Sequence, residues 1–376
     1  MKNRKSLVWL FALIAVLSLV ASACGKSDDK SDTTTTTGAS DSSTTAAPST
    51  DGFDALSGTL NGQGSSFQDT FQQQVSADFG KLVKESGGDA TVTYTKSGSS
   101  DGKKALGDKT VDFAGSDSAL KDDELVAYGD RKVLYFPIAG GTIAVAFNVA
   151  GVTSLNLSPD TIAKIFQAQI TTWNDPAIAA ENPDATLPAT KITVVHRSDG
   201  SGTTSNFTKF LKAAAPSTWK LDAGDTVNWP NSTQGAEKNS GVTQVISTTA
   251  GAIGYADLAD AAKAKLSVAL VKNLDGEYVA PTPDAASLAL GAAEINDDLT
   301  YNPLNAAGKG AYPITAPTWI LVDAAQADEG KAAAMKAYLN YILTAGQESA
   351  KSLLYAPLPK QLASKAIAQI DQITVG

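Results

Sequence analysis

The chain has 376 residues, 43% of them hydrophobic and 18% charged, enough for two packed lobes. Its formal net charge of −9 excludes bulk neutralisation of nucleic-acid phosphates, but not a small anion held by local dipoles. A single Cys and a single His exclude an intrachain disulfide, a thiolate metal cluster and a histidine-rich metal site, so neither metal nor cofactor is expected.

Residues 1–24 read as an export signal. Lys2, Arg4 and Lys5 form a positive start, and the apolar run from Leu7 to Val20, broken only by Ser18, is too short to span a bilayer comfortably. It ends in Ala21-Ser22-Ala23-Cys24-Gly25, small residues ahead of the chain's single Cys. That pattern resembles a lipobox, with Ala21 where Leu is usual three residues before the Cys, and predicts cleavage and lipidation at Cys24 and anchoring to the outer face of the cell membrane; an ordinary signal peptide with a coincidental Cys is the alternative. Residues 25–52 are nearly all Ser, Thr, Asp, Gly, Ala and Lys, with Thr33 to Thr37 in a row. No apolar face exists there to offset the entropy of ordering, so a flexible tether is expected.

From Phe53 onward, β-rich runs alternate with amphipathic patterns. Leu60 leads into a Gly/Ser loop at 62–66, and Phe67, Phe71, Val75, Phe79 and Leu82 recur at helical spacing. Residues 90–94 read as a strand, 98–102 as a turn opening a helix, and 111–114 as a strand running into Gly115-Ser116-Asp117. Thr142 to Val149 is a strand. Ser158-Pro159-Asp160 caps a helix with the stripe Ile162, Ile165, Phe166 and Ile170. Strands at 192–195, 252–255 and 319–322, and helices from Ser201, at 328–349 and at 360–371, complete an α/β pattern.

Four polar loops each follow a strand and stand at a helix start or tight turn. They are Gly64-Ser65-Ser66-Phe67, Gly98-Ser99-Ser100, Gly115-Ser116-Asp117 and Arg197-Ser198-Asp199-Gly200-Ser201-Gly202-Thr203-Thr204. Helix N-termini offer unpaired N–H groups and partial positive charge. Glycine lets the backbone approach a ligand, hydroxyls add short donors, and Arg adds a planar fork for oxyanions. Each loop alone reads more readily as a plain helix cap than as a ligand contact.

Together these runs resemble the PstS family, the substrate-binding proteins of phosphate-specific ABC transporters. The resemblance rests on residues 60–67, 111–117 and above all Arg197 to Thr203. Ile165-Phe166, Ile170-Thr171, Trp173-Asn174-Asp175, residues 251–255 and 312–315 extend it over nearly all of 58–360. It implies a two-lobe periplasmic-binding-protein-like (type II) α/β fold with a hinge and an interlobe ligand cleft. The implied divisions are 53–139 for lobe 1, 140–312 for lobe 2 and 313–376 for the return to lobe 1.

The resemblance also implies a monomeric receptor for inorganic phosphate, serving the permease subunits and ATPase of an importer. It implies ligand contacts from Ser66, the Phe67 N–H, Ser99 and Asp117 on one lobe. Arg197, Ser201, the Gly202 N–H and Thr203 follow on the other, with Asp199 bracing Arg197. The sequence departs from the family at Ser66, where Thr is frequent, at Gln63 and Ser65, where Ala is usual, and at Ala168-Gln169, where Gly and Lys are usual.

Two other classes stay open on the residues alone. Gly98-Ser99-Ser100-Asp101-Gly102 has the G-x-S-x-G spacing of a hydrolase nucleophile, for which His196 is the single candidate base. A Thr-rich tether also suits a wall-attached adhesin. A receptor for sulfate or molybdate is the nearest binding alternative. The P-loop pattern is absent from the sequence.

Overall fold

The computed structural model describes residues 50–376. The signal segment, Cys24 and nearly all of the tether lie outside the described residues. The main sheet runs, edge to edge, Thr91–Lys96, Thr59–Gly64, Phe113–Ser116, Thr315–Asp323, Val133–Asn148, Ala252–Asp257, Thr193–Arg197 and Gln234–Ala236. The first three strands are mutually parallel, and so are the last three. The two central strands pair antiparallel with each other and with their neighbours, so they join two parallel blocks. Parallel strands covered by helices are buried on both faces, and all four residues of Phe113–Ser116 and all six of Ala252–Asp257 are buried.

Helix Asp69–Glu85 buries Phe71, Val75, Phe79 and Val83, one side chain per turn. Phe79 meets Phe53 edge-on at 5.5 Å and Tyr338 at 5.3 Å, tying this helix to helix Glu329–Leu343. Asp328 caps the latter, which gives way to a short 3-10 turn at Ala345–Ser349. Helix Lys360–Gln369 likewise ends in a 3-10 turn.

Three local readings of the sequence are corrected. Gly62 to Gly64 belong to a strand, not a loop. A Cβ at Gly62 would stand 2.1 Å from the Phe113 ring, so this glycine makes room for an aromatic ring rather than for a turn. The strand read from Thr142 begins at Val133 and runs 16 residues. Pro137, Gly140 and Gly141 look like breakers. However, Pro137 sits at an irregularity in the pairing, and Cβ atoms on the two glycines would strike Leu290 and Phe67.

The third correction concerns the helix capped by Ser158, whose hydroxyl accepts from the Thr161 N–H at 3.3 Å. That helix stops at Phe166, so Ile170 is not on its stripe. Ala168 turns the chain out of it with φ 57°, a left-handed conformation that a Cβ disfavours. Ala168→Gly is therefore expected to stabilise the protein by about 0.5–1 kcal/mol, net of glycine's extra unfolded-state entropy. Thermal unfolding checks this: the midpoint should rise by about 2 °C, and a lower midpoint would contradict it. Helices Lys238–Thr248 and Pro283–Gly291 were not expected from the sequence.

Candidate functional site

Every loop of interest leaves the carboxyl end of a parallel strand. Ser65-Ser66-Phe67 follow Thr59–Gly64, Gly98-Ser99 follow Thr91–Lys96, and Asp117 follows Phe113–Ser116. From the other block, Arg197 closes Thr193–Arg197 and the loop to helix Gly202–Ala214 follows. Asn239 lies just beyond Gln234–Ala236, and Asp257 ends Ala252–Asp257. Ligands of open α/β sheets collect outside the carboxyl ends of the strands. Ser66, Phe67, Ser99, Asp117, Arg197, Ser201, Gly202 and Thr203 are all buried where these loops meet.

Asp117 is held from both sides. Ser65 Oγ donates to Oδ2 at 2.5 Å and Thr318 Oγ1 donates to Oδ1 at 2.6 Å. Its main-chain N–H donates to Ser99 Oγ at 3.3 Å. Burial pushes the Asp117 carboxyl up to about 6, although both hydroxyls and the Arg197 charge pull it down.

The Arg197 guanidinium sits over Asp199 as a fork: Nε donates to Oδ1 at 2.7 Å and Nη2 to Oδ2. Burial alone would raise the Asp199 carboxyl, but Arg197 overrides it and leaves the group below its usual range. Nη1 donates to Asn239 Oδ1 at 3.1 Å, and the Arg197 main-chain N–H donates to Tyr255 OH at 3.2 Å. Ser201 Oγ accepts from the Thr204 N–H at 3.2 Å, capping its helix and leaving its own hydrogen free. The Phe67 N–H donates to Ser65 Oγ at 3.0 Å.

The two sets of loops touch closely. A Cβ on Gly202 would stand 2.6 Å from Ser99 Oγ and 2.8 Å from Asp117 Cβ. One on Gly98, at φ +113°, would stand 2.7 Å from Gly200 O. Only glycine fits where backbone meets backbone. The Ser100 N–H donates to Gly200 O at 3.3 Å, and Asn206 Nδ2 donates to Asp117 O at 2.6 Å.

Sequence reasoning missed a buried ion pair beside this contact. Lys103 Nζ lies 2.9 Å from Asp225 Oδ2 and 2.8 Å from Glu124 Oε2, and the hydroxyls of Ser100 and Ser118 donate to the same Asp225 oxygen at 3.1 and 3.0 Å. Removing one member of a buried pair leaves the other charge uncompensated. Lys103→Met should cost about 3 kcal/mol, and Lys103→Met combined with Asp225→Leu should recover most of it. Thermal unfolding of the three proteins checks this; an unchanged midpoint for the single variant would count against it.

The hydrolase reading finds no support in this geometry. Ser100 donates to Asp225, not to an imidazole. His196 is stacked on Trp229 at 4.9 Å with Nδ1 2.9 Å from Arg197 O, and burial lowers its pKa. Among the described residues, no cluster of His, Cys, Asp and Glu is placed to hold a metal ion.

Residues 34–345 match the model described as the PBP superfamily domain. Phosphate-binding protein PstS of Xylella fastidiosa is 33% identical over 358 residues, covering 94% of each chain. Phosphate-binding protein PstS 3 of Mycobacterium tuberculosis is 33% identical over 374 residues, covering 96% of this chain and 97% of its own. Among solved structures, a high affinity periplasmic phosphate-binding protein (PfluDING) bound with phosphate is similar in fold, with TM-score 0.70 at 23% identity, covering 83% of this chain and 94% of that one. A phosphate binding protein from Stenotrophomonas maltophilia gives TM-score 0.62 at 22% identity, again covering 83% and 94%. The chain belongs to the PBP superfamily and, within it, to the PstS family of phosphate-binding proteins, whose two-lobed type II fold its mixed sheet builds.

Proposed function

We propose that this chain is an extracytoplasmic receptor that binds inorganic phosphate and hands it to the permease and ATPase of an ABC importer, acting as a carrier and not as an enzyme. The observation that carries the reading is a buried acceptor, Asp117, set where donors from both parallel blocks meet. Ser66, Ser99, Ser201 and Thr203 would donate through hydroxyls, Gly202 and, on leaving Ser65 Oγ, Phe67 through main-chain N–H groups, and Arg197 through the guanidinium hydrogens that Asp199 and Asn239 leave over. Hydrogen bonds to a charged group contribute on the order of 1.5–3 kcal/mol each, so a subset suffices for a micromolar complex worth about 8 kcal/mol.

The relatives' names and the family's transport role support this reading. In it, lobe 1 comprises 53–139 and 313–376, and lobe 2 comprises 140–312. The lobes close as a monomer about the strands that join the two blocks. The signal at 1–24, the tether and a lipid on Cys24 would hold the receptor at the outer face of the cell membrane. Mass spectrometry of Cys24, with release of Cys24→Ala into the medium, tests the anchor.

Calorimetric titration of the ligand-stripped protein with phosphate and then sulfate tests the function. Phosphate should bind tightly, with sulfate giving no heat. Equal binding of both would move the protein to a broader oxyanion class, and silence toward both would overturn the reading.

A further inference from the structure

We infer that Asn239 is the positioning residue that turns the hydroxyl hydrogens of Ser66 and Thr203 toward the anion while holding Arg197 in place. The inference rests on the phosphate reading above.

A hydroxyl carries one hydrogen and two acceptor lone pairs and rotates to suit its neighbours. A neighbour that donates to it occupies a lone pair and leaves the hydrogen for another partner. Asn239 does this twice. Its main-chain N–H donates to Ser66 Oγ at 3.1 Å, and its Nδ2 donates to Thr203 Oγ1 at 3.2 Å. Its Oδ1 accepts from Arg197 Nη1 at 3.1 Å. The side chain is fully buried, so water does not compete for these bonds.

The amide has one sensible orientation. Its oxygen must face the guanidinium, which has no acceptor, so its NH2 faces Thr203 and lies toward the buried Asp257 carboxyl, whose charge it steadies. Asp257 is fixed in turn, because its Oδ1 accepts the Asp260 N–H at 2.9 Å to cap helix Leu258–Lys263. The backbone is fixed as well, because Asn239 is the second residue of helix Lys238–Thr248, which Lys238 enters at φ 61°. One residue thus sets three donors, and its bond to Ser66 joins segments 173 positions apart from the two parallel blocks.

The test is calorimetry with inorganic phosphate on the full chain and on Asn239→Ala, Thr203→Val, the double variant and Asn239→Asp, with thermal unfolding in parallel. Asn239→Ala should weaken binding by roughly 10- to 100-fold, and by at least about threefold less in the Thr203→Val background, because part of its effect passes through that hydroxyl. Asn239→Asp should bind more weakly than Asn239→Ala, since a carboxylate takes the Thr203 hydrogen for itself. An equal factor in both backgrounds, no loss in Asn239→Ala, or tighter binding by Asn239→Asp than by Asn239→Ala would each overturn this inference while leaving phosphate binding intact. Failure of the unaltered protein to bind phosphate would overturn the underlying reading instead.

Discussion

Asp117→Asn is expected to cut the preference for phosphate over sulfate by a factor on the order of 10³–10⁴. At neutral pH phosphate still carries a proton to donate, whereas sulfate carries none. Ser65 and Thr318 take one acceptor position on each oxygen of Asp117, and each oxygen keeps another. A P–OH group can fill that position, while a sulfate oxygen would meet it lone pair to lone pair. An amide at 117 offers an N–H instead, so phosphate loses a bond and sulfate gains one. Titration of both anions against both proteins reads the ratio, and an unchanged ratio would remove Asp117 as the filter.

The same carboxyl gives a pH signature. Burial raises it from 3.8 to about 6. Below that value it holds a proton and becomes a donor itself, so sulfate should bind better at pH 5 than at pH 8, and Asp117→Asn should flatten that trend. In the ligand-free protein the folded carboxyl keeps its proton over a range where the unfolded one has lost it. Its stabilising contribution is therefore full below about pH 4 and lost as pH rises through about 6.

Arg197→Ala is expected to weaken phosphate binding by roughly 10³-fold or more. Two charge-assisted bonds to the anion account for about 3–6 kcal/mol, and Asp199 would be left as an unpaired anion beside the ligand. Arg197→Lys should fall in between, because an ammonium keeps the charge but cannot reproduce the fork on Asp199. Calorimetry checks both variants; a near-native titration of Arg197→Ala would exclude it from the site.

Where local chemistry acts, it was legible. Ser158 and Ser201 cap helices as their sequence contexts imply, and the stripe of Phe71, Val75 and Phe79 is buried. Glycine misled where it serves packing rather than turning, as at Gly62 and Gly141, and Pro137 stands inside a strand because it sits at an irregularity in the pairing. Asn239, Lys103 and Asp225 were missed for a different reason. Helix Lys238–Thr248 presents few apolar residues to give it a stripe, and Lys103 meets Asp225 across 122 positions of chain. Such partners are set by the ends of non-neighbouring strands, which no window of sequence contains. Ser65 was visible in the first polar loop and as a departure from the family, but its bond to Asp117 appears once the strands are side by side.

The pairing between Val133–Asn148 and Thr315–Asp323 slips by one residue. Thr318 faces Ala139, Trp319 faces Pro137, and Ile138 has no residue opposite it in this pairing, its carbonyl accepting instead from Gln347 Nε2 at 2.8 Å. Thr318 is also the hydroxyl that steadies one oxygen of Asp117. A bulge bends the strand that carries it and increases its local twist. If the receptor proposed above closes about these two strands, their flexure and the aim of Asp117 would share one mechanical coordinate: a pull that opens the cleft there would also loosen the hold on the anion's hydrogen.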